Sequence, residues 1–118
     1  MNIDKKARGT VRQKLLENSK NVIGGTDALS ETLRANFPEI RLAFVVDCIP
    51  EQGEDIYRIL VNSTTIAEVE IARRADTMSS PPILKTIELS VYQQKRHSLV
   101  VRQTLDVARG LMKSGGSR

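Results

Sequence analysis

Ile40–Ala72 reads IRLAFVVDCIPEQGEDIYRILVNSTTIAEVEIA, and its apolar residues recur at every second position, the period of a β-strand. The spacing predicts three strands, over 40–49, 56–62 and 66–72. Pro50–Asp55 and Asn62–Thr65 are rich in turn-forming residues and separate them. In the first strand Ile40, Leu42, Phe44, Val46 and Cys48 share one face, and Arg41, Ala43, Val45, Asp47 and Ile49 the other. Both faces are largely apolar, so both need cover. In the third, Ala67, Val69 and Ile71 alternate with Glu68 and Glu70, the mark of a strand with one wet face. Downstream, Ile87, Leu89 and Val91 alternate with Thr86, Glu88, Ser90 and Tyr92, which predicts a fourth strand over 83–92. Turns join the first three strands and a longer loop, Arg73–Pro82, leads to the fourth, so an antiparallel meander is the economical topology.

Outside this block the period changes to that of helices. Ile3, Ala7, Val11 and Leu15 recur every fourth residue and predict a helix from about Asp4 to Lys20, cationic on its outer side. Val22–Gly25 breaks the pattern, Thr26 or Asp27 can cap a second helix carrying Leu29, Leu33 and Phe37 inward, and Pro38 ends it. Ser98 is a plausible N-cap for a last helix whose stripe is Val101, Thr104, Leu105, Ala108, Leu111 and Met112. Its back carries Arg102, Asp106, Arg109 and Lys113. The expected fold is α+β: two N-terminal helices, a four-stranded antiparallel meander and a C-terminal amphipathic helix in one domain over 1–113, with 114–118 as a flexible tail.

The chain has 118 residues, a formal net charge of +4, one cysteine and one histidine. Its charge is segregated. Residues 1–20 hold Lys5, Lys6, Arg8, Arg12, Lys14 and Lys20 against Asp4 and Glu17. Residues 95–118 hold Lys95, Arg96, Arg102, Arg109, Lys113 and Arg118 against Asp106, whereas 21–94 is net acidic. Such segregation points to charged partners and away from a small neutral ligand. Cys48 has no second cysteine to pair with, and no apolar run approaches the roughly 20 residues of a membrane span, so a cytoplasmic protein with no membrane contact is expected.

Catalytic constellations are thin. A dyad would need Cys48 and His97 to meet, whereas a buried structural thiol and a surface imidazole are the expected roles, and one Cys with one His cannot supply a zinc set. Gly24-Gly25-Thr26 before a helix superficially suggests a phosphate cradle, but a joint followed by an N-cap accounts for the same residues. No catalytic residue, metal site or cofactor is therefore expected, and the chain reads as a non-enzymatic binding protein. The partner-binding candidates are Glu68, Glu70 and Glu88 on a sheet face, and Arg102, Arg109 and Lys113 on the last helix. A protein partner, with the chain as adaptor, inhibitor or immunity-like factor, is the first expectation, and a second copy could also cover the doubly apolar strands. The alternative is a nucleic-acid accessory protein using Lys5, Lys6, Arg8, Arg12, Arg102 and Arg109. A hydrolase built on the paired carboxylates is the least favoured reading.

Overall fold

One antiparallel sheet organises the molecule, its strands in the order β1 (Phe44–Glu51), β2 (Glu54–Leu60), β3 (Thr65–Ala72) and β4 (Ile83–Glu88). The computed structural model describes residues 5–72 and 81–114, with side chains from residue 9 onward. The expected meander and the α+β layout are observed. The loop expected over Arg73–Pro82 falls almost wholly outside the described residues, as does the expected tail beyond Ser114.

The strands begin and end for local reasons. β1 starts at Phe44, four residues later than its alternation implies, because the Ala43 amide donates to the buried Ser19 Oγ at 3.0 Å. It runs on through Pro50, which an edge strand tolerates because one of its sides carries no ladder. The β1–β2 turn is consequently shorter than Pro50–Asp55. Glu51 pairs with Glu54, and Gly53 takes the positive φ of 77° that the tight reversal requires.

A bulge interrupts β1. Val45 opposes Ile59 and Asp47 opposes Arg58, leaving Val46 as the extra residue. Beyond it the facing expected from alternation is inverted. Asp47 joins the face of Phe44 and Leu60, while Cys48 lies opposite Tyr57 on the face of Val45 and Ile59.

Helices cover both faces. On one, α1 (Lys5–Gly24), α3 (Leu89–Gln94) and α4 (Leu99–Lys113) bury Phe44, Val46, Leu60 and Ile66 against Leu15, Leu105, Ala108 and Leu111. On the other, α2 (Ala28–Asn36) and the last turn of α1 pack Leu29, Leu33, Val22 and Ile23 over Ala43, Ile59, Ala67 and Val69. Leu33 is almost fully buried, and burial of such a side chain contributes about 1.5–3 kcal/mol.

The α1–α2 joint is held by protein groups. Asp27 caps α2 by accepting from the Ser30 amide at 2.9 Å, and hydrogen bonding from the Ser30 side chain and then its amide holds the carboxyl below the ordinary range. Arg34 Nη1 donates to the carbonyls of Ile23 (2.6 Å) and Gly25 (2.7 Å), which closes the end of α1 with a cation. A Cβ on Gly25 would lie 2.7 Å from Asn21 O and from Ser30 Oγ, so the glycine permits a close approach. These contacts account for Gly24 and Gly25 as a structural joint.

One element departs from expectation. The strand expected to reach Tyr92 stops at Glu88, and Leu89–Gln94 is the helix α3. The reason lies in the partner strand. The β3–β4 ladder closes at Thr65 opposite Glu88, and the Leu89 amide bonds Thr64 O at 2.8 Å. Residues beyond have no strand to pair with, so their backbone groups are satisfied within a helix. Leu89 and Tyr92, three apart, turn inward; Tyr92, expected on an exposed face, is 1% exposed.

Candidate partner-binding surface

The acidic candidates do not form one surface. Glu68 and Glu70 share a face, but Glu88 opposes Thr65, in phase with Ala67 and Val69, and so belongs to the other side of the sheet. Glu68 is also committed. Its Oε1 accepts from Arg58 Nε at 3.0 Å, and its side chain is only 14% exposed. The pairing register aligns Asp47, Arg58, Glu68 and Lys85 in a row across all four strands. Asp47 Oδ2 lies 4.0 Å from Arg58 Nη1, and Lys85 Nζ 4.0 Å from Glu68 Oε2. The row alternates in sign and largely satisfies itself. Only the bulge at Val46 brings Asp47 into it, a feature that the apolar alternation of β1 conceals.

Tyr92 sits over this row. Its hydroxyl is buried, with no hydrogen-bond partner among the described residues. Burial, above all, raises its pKa; Asp47 and Glu68 add to the effect and the Arg58 guanidinium opposes it. The His97 ring packs on Tyr92 with centroids 4.2 Å apart, and its Nε2 donates to Tyr92 O at 2.7 Å. His97 is thus a half-buried clamp between α3 and α4, where the sequence suggested a surface imidazole. Cys48, expected to be a buried thiol, is exposed and opposes Tyr57, on the face of the sheet away from His97. The two do not form a dyad. Among the described residues no group of three His, Cys, Asp or Glu side chains is placed to hold a metal ion.

The cationic candidates fare differently. Ser98 caps α4, its Oγ accepting from the Val101 amide at 3.2 Å, and the helix buries Leu105, Val107, Ala108 and Leu111. This fixes the opposite side outward. Arg102, Asp106, Arg109 and Lys113 are all exposed along it, headed by Leu99 at 43% exposure. Arg102 to Lys113 spans about 16 Å at 1.5 Å per residue. Val100, beside Leu99, is 70% exposed and is an apolar feature that the charge pattern does not announce. Arg12 of α1 meets this ridge, since it lines a hollow with Val107, Gly110 and Ser114, while Gly110 also lines the hollow holding Arg109 and Lys113. The structure therefore brings Arg12, Arg109 and Lys113 to one end of α4. Lys5, Lys6 and Arg8 fall on α1, and their side chains lie outside the described residues.

No helix among the described residues is long and apolar enough to cross a membrane. The surface thus consists of an outward cationic ridge with an apolar head, beside a sheet whose acidic groups are separated or paired. Comparison with protein-family models, curated proteins and solved structures gives no match for the chain.

Proposed function

We propose that the chain is a small non-enzymatic binding protein, cytoplasmic in setting, that engages a partner protein through the outer ridge of α4. The observation that carries this reading is the contrast in charge: Arg102, Arg109 and Lys113 point into solvent, whereas Glu68 is paired with Arg58 and Glu88 lies across the sheet. The composition of the ridge favours protein over phosphate. Exposed Leu99 and Val100 supply apolar contact beside Arg102, a combination typical of protein interfaces.

The convergence of Arg12 on the Arg109–Lys113 end favours a second reading, in which α1 and α4 together track a nucleic-acid backbone. Capture from lysate with and without nuclease separates the two, using the chain and its Arg102→Glu/Arg109→Glu variant. A stoichiometric protein that survives nuclease and is lost with the variant supports the first. Nuclease-sensitive capture that weakens steeply with salt supports the second. Retention of a nuclease-resistant partner by the variant removes the ridge from either role.

A further inference from the structure

We propose that the groove between α4, α3 and the β2–β3 turn is the docking site for an extended acidic segment of the partner, an inference that rests on the ridge reading above and makes it more specific. Three hollows, of about 220, 300 and 500 Å³, join through shared walls. The first lies among Gln93, His97, Arg102, Leu105 and Arg109, and the second among Ser63, Arg109, Gly110 and Lys113; both touch Asp106. The third runs past Thr64, Thr65 and Ser90, and it shares Ser63 with the second and Gln93 with the first.

The walls differ in chemistry. The α4 side presents two guanidinium groups and an ammonium around the single carboxylate of Asp106, a net positive wall. The opposite side presents the Ser63 and Ser90 hydroxyls and the Gln93 amide, donors and acceptors suited to the backbone of an extended chain. The groove is fixed before any ligand arrives. Asn62 Oδ1 accepts from the Thr64 amide (2.8 Å) and from Thr64 Oγ1 (3.1 Å), Leu89 N holds Thr64 O at 2.8 Å, and the His97–Tyr92 bond sets α3 against α4. A preformed site avoids much of the ordering cost of binding.

Spacing matches the occupant. Arg102 and Arg109 are separated by about 10.5 Å along the helix axis, and Arg109 and Lys113 by about 6 Å. A strand advances roughly 3.3 Å per residue and returns its side chains to one face every second residue, so carboxylates two positions apart in an extended segment, about 6.6 Å, would meet Arg109 and Lys113 together. Glu88, at the far end of the third hollow, disfavours further acid there and confines the acidic stretch to the α4 wall.

The test uses the full chain and a fluorescein-labelled peptide, Glu-Ser-Gly-Glu-Ser-Glu, with its Gln-for-Glu counterpart and hexathymidylate as comparison probes. The acidic peptide is expected to bind, and the Gln peptide at least tenfold more weakly. Arg109→Glu, and Ser63→Trp or Gln93→Trp, which fill the groove without changing its charge, should each weaken the acidic peptide at least tenfold. Arg96→Glu, outside the groove, should leave binding within twofold. Circular dichroism checks that each variant is folded, and the two Trp substitutions lie at separate exposed positions, so loss in both folded variants locates the site. If Arg109→Glu abolishes binding and the Trp variants do not, the groove proposal is overturned while the ridge reading stands. Absence of peptide binding also overturns it, and tighter binding of hexathymidylate assigns the surface to nucleic acid instead.

Discussion

The sheet face under α3 and the outer ridge of α4 each carry both signs of charge, yet they use it in opposite ways. On the sheet, Arg58 is shared between Glu68 and Asp47, and Lys85 closes the row, so charge meets charge within the molecule. On α4, Arg102, Arg109 and Lys113 stand exposed along a helix side whose reverse is apolar core. What matters is how far a charge is already committed. Registered strands place side chains opposite one another at about 5 Å and allow neutralisation across the ladder, whereas a helix packed through one stripe leaves its other side to solvent.

This contrast can be broken most severely at Arg58. Arg58→Ala is expected to cost about 2 kcal/mol, because it leaves Glu68 and Asp47 partly buried without their counter-charge beside Tyr92; urea denaturation measures the loss. A change below about 0.5 kcal/mol would show the row to be ornamental. Tyr92→Phe acts with the opposite sign. It removes a buried hydroxyl that has no partner among the described residues, so stability at pH 7 is expected to stay level or rise by up to about 1 kcal/mol.

The same phenol predicts an alkaline effect. Its folded pKa is raised above the ordinary value of 10.0, so the native state keeps a proton that the unfolded chain releases. Stability from this group is complete below about pH 10 and declines as pH rises through the folded pKa. Tyr57, also raised mainly by burial, adds to the decline. Denaturation at pH 8, 10 and 11 should therefore show a shallower alkaline loss in Tyr92→Phe than in the unmodified chain.

On the ridge the expected effects on stability are small. Arg102→Glu/Arg109→Glu should shift the thermal midpoint little, with a stability change within about 0.5 kcal/mol, as for exposed substitutions generally. Its effect belongs to binding. Glu88→Gln, smallest of the set, is expected to leave stability unchanged, because Glu88 is exposed and separated by the sheet from the Glu68 row.

Much of the architecture was legible in the sequence because its signals are local. Alternation identified four strand regions, Asp27 and Ser98 marked helix starts that their side chains cap, and the stripe of α4 identified its outward ridge. What escaped depends on pairing partners. Nothing between Phe44 and Ile49 announces that Val46 is extra, and the end of β3 at Thr65 decides that Leu89 begins a helix. The inward spacing of Leu89 and Tyr92 was present, but Val91 between them fits a strand equally well. The charged row was hidden for the same reason, since it draws one residue from each strand. The groove on α4 was half legible: its cations stand on one helix, whereas Ser63 and Gln93 come from separate segments.

The bulge at Val46 also sets a rule for how this chain can change length. Because Val46 is the one unmatched residue, deleting it would leave Val45 opposite Ile59 and Asp47 opposite Arg58 and keep Asp47 and Cys48 on their present faces, so a single-residue loss is absorbed at this position. Insertions or deletions of two residues between Asp47 and the tip of the hairpin would preserve the facing. Single-residue changes there would reverse it. Relatives of this chain that vary in the length of this hairpin beyond the bulge are accordingly expected to do so by even numbers, or to carry a second irregularity that restores the phase.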